Sequence, residues 1–183
     1  RKQGDCENMR KIGLLGLVAL LMPIPAHADA GADLKTLVDD FWGFTLKESP
    51  TMASTLGNDA YANEVGDYSR AGLDRIAKAH AEYLKRLDAI PQNELNTAQT
   101  IERGILHRTL SDSIAENRCG QRTINFSTYS GWHQSFASMA EQMPFRRKAD
   151  YESYNIRIRQ YARVNDQAIS VANAAIKGKY TLP

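Results

Sequence analysis

The sequence predicts an all-α protein, an irregular array of helices that ends in one long C-terminal helix. Three observations point there. Apolar residues recur at helical spacing through four segments, Ser, Asn, Pro and Gly stand at the ends of those segments, and no stretch alternates apolar and polar residues long enough for a strand. The bulk composition fits one globular core, with 183 residues, 43% of them hydrophobic and 24% charged. No repeat with a period of 20 to 50 residues is visible.

Residues 1–28 read as an address. Met9, Arg10 and Lys11 give a short cationic start, residues 12–22 are apolar, and Ala26-His27-Ala28 matches the small-residue pattern that signal peptidase cuts. Cleavage after Ala28 is expected, which makes the mature protein exported, either periplasmic or secreted. The 11-residue apolar run is about half of the ~20 residues that a helix needs to cross a bilayer, so no permanent membrane anchor is expected. Residues 1–8 are polar and precede a plausible initiator at Met9, as if the start were assigned too early. Residues 29–183 then form the helical region proper.

In that region Leu34, Leu37, Val38, Phe41 and Leu46 share one stripe, predicting a helix over 33–48 with Asp39, Asp40 and Lys47 outward and Ser49-Pro50 as its stop. Residues 51–68 scatter Gly57, Asn58, Asp59, Asn63 and Gly66 among few apolar positions and predict a loop with one short turn. Ser69 can cap a second helix that carries Leu73, Ile76, Ala77, His80, Leu84 and Leu87 to Ile90, before Pro91. Asn96 can cap a third over 97–117, with Ile101, Ile105, Leu106, Leu110 and Ile114 on its buried side and Gly120 as its stop. Periodicity then fades to Pro144, although Phe126, Tyr129, Trp132 and Phe136 predict a loop lying over the core. The last helix is expected over 148–177, carrying Tyr151, Tyr154, Ile158, Tyr161, Ala162, Ile169, Ala172 and Ile176. At 30 residues it would span ~45 Å.

Charge excludes some partners. With 23 basic and 21 acidic residues there is no net attraction to phosphate backbones, and nucleic acid is not an expected partner. Past residue 28 the count is 19 against 19, with an acidic excess over 29–119 and a basic excess over 120–183. Such counts mean a mixed solvated surface or a basic face for an acidic ligand. Without Cys6, Cys119 is the sole cysteine, so no internal disulfide framework exists. Cys119 reads as a buried inert thiol or as a partner for something outside the chain.

Catalytic vocabulary is sparse. His80, His107 and His133 each lack a second His or Cys three or four residues away, and the H-E-x-x-H arrangement that sets two zinc ligands on one helical face does not occur. His80 on an apolar stripe reads as a hydrogen-bonded boundary histidine, and His107 as a surface one. Gly-x-Ser-x-Gly, Cys-x-x-Cys and phosphate-cradling Gly-rich loops are missing too. No catalytic, cofactor-binding or metal-ligating residue is therefore assigned. Trp132-His133 after Gly131 is the one cluster nominated to line a cleft, since an indole beside an imidazole offers stacking together with hydrogen bonding. Core packing is the competing role for Trp132.

Four stretches taken together resemble the N-terminal part of the bacterial domain-of-unknown-function 885 family. They are Phe41-Trp42-x-x-x-Leu46-x-x-Ser49-Pro50-Thr51-x-Ala53 with Leu56-Gly57; Asp67-x-Ser69 with Leu84-x-x-Leu87-Asp88-Ala89-Ile90; Gly131-Trp132-His133 with Pro144-Phe145; and Asp150-Tyr151-Glu152-x-Tyr154 with Ile176-Lys177-Gly178-x-Tyr180-Thr181-x-Pro183. Complete members look like zinc metallopeptidases of the gluzincin type. The resemblance implies that this chain is the non-catalytic front of a larger helical, metallopeptidase-like fold. Zinc is then expected only in a full-length relative, and the partners are a C-terminal catalytic half and a peptide substrate. Where relatives tend to carry Thr, this chain has Arg147, which offers no acceptor to a helix N-terminus and leaves the start of the last helix open. The alternative is a complete small periplasmic helical module that binds a protein or peptide.

Overall fold

The structure, a computed structural model, describes residues 29–127 and 130–180. The expected leader with its expected cleavage point after Ala28, Cys6, Tyr129, and Thr181 and Pro183 of the last motif lie outside the described residues. Over the described residues the fold is all-α, with seven α-helices and a single isolated bridge between Phe126 and Gly131.

The first four helices each begin where a side chain or a proline resolves the unpaired amides of a first turn. α1 spans Ala30–Glu48 and starts three residues before the predicted 33, because the Asp29 carboxylate accepts from the Gly31 amide at 2.9 Å. Ser49-Pro50 stops it as expected. Pro50 then opens α2, Pro50–Thr55, at a position where a missing N–H leaves nothing unpaired. The predicted loop over 51–68 is corrected accordingly, with α2 and a 3-10 turn, Asp59–Tyr61, inside it. Ser69 caps α3, Arg70–Asp88, by accepting from Gly72 N at 3.0 Å. Asn96 caps α4, Thr97–Arg118, and the Gln99 side chain returns the bond to Asn96 N, each at 3.0 Å.

α1, α3 and α4 close on one apolar cluster of Ala30, Leu34, Leu37, Leu87, Ile90, Leu106 and Leu110, flanked by Val38, Phe41, Tyr83, Leu84 and Leu95. The buried register of α4 is Leu106, Leu110 and Ser113. Ile101 and Ile105, expected inside, are 59% and 64% exposed. They stand about 100 to 150° around the helix from that register, so the stripe drawn through all five apolar residues mixed two faces. Cys119, expected buried, is exposed at the end of α4, where the helix runs out into solvent.

The segment after Gly120 holds more regular structure than a loop: α5, Trp132–Ala137, flanked by 3-10 turns at Gln121–Thr123 and Ser138–Gln142. The single helix predicted over 148–177 is two, α6 over Lys148–Ile158 and α7 over Tyr161–Lys177. The break has a local cause. The Gln160 amide bonds Arg157 O at 2.9 Å, a 3-10 step, and the Gln160 side-chain amide takes over the Ile156 carbonyl at 3.4 Å while also donating to Asn63 O at 2.8 Å. α6 does start at 148 despite Arg147. The Asp150 carboxylate accepts from the Arg146 and Arg147 amides at 2.8 and 3.3 Å, the reach-back half of a capping box, which ties down the entering chain without a Thr hydroxyl. α7 buries Val164, Ala168, Val171 and Ala175, whereas Tyr161, Ile169 and Ile176, expected on its packed stripe, are exposed.

Candidate functional site

A cleft of about 1020 Å³ opens between the α1/α3/α4 cluster and the later helices, reached by side chains of α1, α2, α3, α4, α5 and α7. Its floor is polar. Ser113, buried on the inner register of α4, lies 2.6 Å from His80 Nδ1 of α3 and also accepts from Arg122 Nη2. Ser113 Oγ can donate to a bare His80 Nδ1 or accept from a protonated one, since its two lone pairs let it accept from Arg122 as well. Burial and the Arg122 charge both hold His80 below its ordinary value, with Glu48 opposing them. His80 is thus a hydrogen-bonded boundary histidine.

Arg122 reaches this floor because the chain reverses at Gly120, whose φ of 75° favours glycine. A Cβ there would also meet the Tyr180 ring at 2.9 Å. Besides Ser113, Arg122 has Glu116 3.7 Å from its Nε, and its Nη1 has no hydrogen bond among the described residues. Asn125, three residues on, donates to Ala168 O at 2.8 Å, while its Oδ1 is buried with no partner.

One rim carries a charge relay across three helices. Arg75 pairs with Glu48 and lies 3.7 Å from Asp67. Asp67 in turn accepts from Gln167 Nε2 at 3.0 Å and from Ser69 N at 3.1 Å. Burial pushes the Asp67 carboxyl upward, and the Ser69 bonds with the Arg75 and Arg163 charges pull it further down, to below the ordinary carboxylate range.

Aromatic side chains make the walls. Trp132 lines the cleft with Phe44 and Phe136, half-buried, and its Nε1 donates to Asn165 Oδ1 at 3.0 Å. Its ring meets Phe126 and His133 edge to face, both at 5.5 Å. His133 is exposed and packs on the outer edge of Trp132 without lining the cleft. The structure therefore places one nominated residue in the wall and the other behind it. Ser113, Arg122 and Asn125 were not nominated. A polar residue seven positions after Leu106 on a buried face was a signal for Ser113, but nothing local marks Arg122 or Asn125.

The other histidines stand apart, with His107 Nε2 3.7 Å from Asp88 on the α3/α4 side. Among the described residues no group of three or more His, Cys, Asp or Glu is placed to hold a metal ion, so they offer no fit to a catalytic zinc. No helix among them is long and apolar enough to cross a membrane.

Neither the curated proteins nor the solved structures contain a match to this chain. The profile of a family described as bacterial protein of unknown function (DUF885) matches residues 50–183, from the first residue of α2 to the last of the sequence. On that match, the chain belongs to the DUF885 family.

Proposed function

We propose that this chain is the non-catalytic helical portion of an exported, zinc-metallopeptidase-like protein, and that its cleft forms one wall of the groove that receives a peptide. The observation that carries the reading is the cleft itself, with aromatic walls over a polar floor and enough volume for a few peptide residues. The family match places the chain in DUF885, and the peptidase context rests on the sequence resemblance. In this reading zinc and hydrolysis belong to polypeptide outside these residues, and Trp132 contributes contact area.

The test is direct. Short N-acetylated peptides should bind the chain and quench Trp132, whereas titrated zinc should find no stoichiometric tight site. Chelator-sensitive peptide cleavage by this chain would overturn the assignment of a non-catalytic role. The closed α1/α3/α4 cluster supports a second reading, a self-sufficient helical binding module. Size exclusion and thermal melting of residues 29–183 separate the two. A module should be monomeric with one cooperative transition, and a dependent portion should associate or melt broadly.

A further inference from the structure

We propose that the Arg122–Asn125 corner of the cleft is a subsite for the C-terminal residue of a peptide, holding its free α-carboxylate and its amide N–H. The inference rests on the peptide-cleft reading and deepens it.

The argument starts from what this corner leaves unused. Arg122 brings a positive charge with one terminal nitrogen, Nη1, free of hydrogen bonds among the described residues. Its ionic neighbour Glu116 is 3.7 Å away from Nε and 46% exposed at its side chain, a separation and solvation that leave much of the Arg122 charge uncompensated. Arg122 is held from behind by Ser113, itself fixed by His80, so its guanidinium is oriented before any ligand arrives. Asn125 presents the complementary lack. Its Nδ2 is committed to Ala168 O, and its buried Oδ1 needs a donor.

Both side chains line the cleft from positions three residues apart in the chain, so a ligand that satisfies both carries an anion and an N–H, with an apolar part for Phe44, Trp132 and Phe136. Inorganic phosphate or acetate supplies the anion alone. A peptide's last residue supplies all three, since its carboxylate and its amide flank one Cα whose side chain can lie against the rings. Charge-assisted bonds from a guanidinium to a carboxylate are the strong ones, and an amide end loses them.

The experiment compares N-acetyl-Leu-Phe with a free carboxylate against its C-terminal amide, by calorimetric titration of the 183-residue chain. The free acid should bind at least about tenfold more tightly. Arg122→Gln should abolish most of the preference for the acid over the amide, and Asn125→Leu should weaken both alike. Equal affinity for acid and amide in the unaltered chain overturns the carboxylate subsite and leaves the peptide cleft standing. Binding of neither at millimolar concentration overturns the peptide-cleft reading and this inference with it. If acetate binds as tightly as the acetylated dipeptide acid, the corner is a small-anion site and the peptide assignment is wrong. Should the Gln variant fail to fold, the acid–amide comparison on the unaltered chain still decides.

Discussion

The two halves of this molecule hold together by opposite means. α1, α3 and α4 close on seven buried apolar side chains, whereas α2 and the segment up to residue 64 are fastened to α6 by polar bonds, with the buried Arg157 guanidinium at their centre beside the Arg147–Asp59 pair and the Gln160–Asn63 bond. Arg157 is 1% exposed and donates to Glu64 O at 2.8 Å, Pro50 O at 2.9 Å, Ser54 Oγ at 2.8 Å, Tyr61 O at 3.0 Å and Met143 Sδ at 2.9 Å. Burial pulls its pKa down and Glu64 opposes, yet a guanidinium stays charged in any protein interior. An apolar cluster tolerates a range of arrangements, because dispersion and water exclusion have no direction. A buried cation fixes one arrangement, since each carbonyl must face its N–H or stay unpaired. The first half should therefore be the sturdier and the second the more exactly positioned.

The largest effect expected from breaking that contrast is Arg157→Met, which orphans several buried carbonyl groups and should destabilise by about 3 to 5 kcal/mol. Hydrogen exchange should show the loss concentrated in α2, the Asp59–Tyr61 turn and α6, with α1, α3 and α4 still protected. Uniform loss across all helices would mean that the two halves are one cooperative unit. Next comes Leu34→Ala in the apolar cluster, about 2 to 5 kcal/mol by urea denaturation, with the loss of exchange protection concentrated in α1, α3 and α4, which supply that cluster. Ser69→Ala removes the α3 cap and should lower stability by about 1 kcal/mol.

A smaller effect sits at the seam between the halves. His80 has a lowered folded-state pKa, so the unfolded chain binds the proton more readily. Stability should be full above the unfolded value of about 6.5, fall as pH drops through it, and level off once the folded value is passed. His80→Gln should flatten melting temperature between pH 7.5 and 5.5. The smallest effect is Ile105→Lys on the exposed side of α4, expected within about 0.5 kcal/mol. A large loss there would restore the five-residue stripe that the structure rejects.

The same contrast explains what was readable beforehand. The apolar half is close to its sequence reading, since Leu34, Leu37, Leu87, Leu106 and Leu110 sit on the stripes that spacing assigned them. The polar half is not. Nothing in the sequence near Arg157 announces that it is buried. Size misled in α7, where the bulky Ile169 and Ile176 face outward and the smaller Val164, Ala168, Val171 and Ala175 pack. In the cleft, the Gly131-Trp132-His133 cluster drew attention to Trp132, whose favoured role was core packing, and Trp132 lines the wall half-buried. Arg122 and Asn125 acquire meaning only beside Ser113 and Ala168, which other helices supply.

What the sequence determined alone is the punctuation: the caps at Ser69 and Asn96, the stop at Ser49-Pro50 and the reversal at Gly120 act within about one turn of themselves. Tertiary structure decided which face each helix buries, the break at Gln160 and the meeting of His80, Ser113 and Arg122. Those outcomes depend on partners far along the chain, as when Arg157 reaches a carbonyl 107 residues away, and no local pattern encodes such a distance.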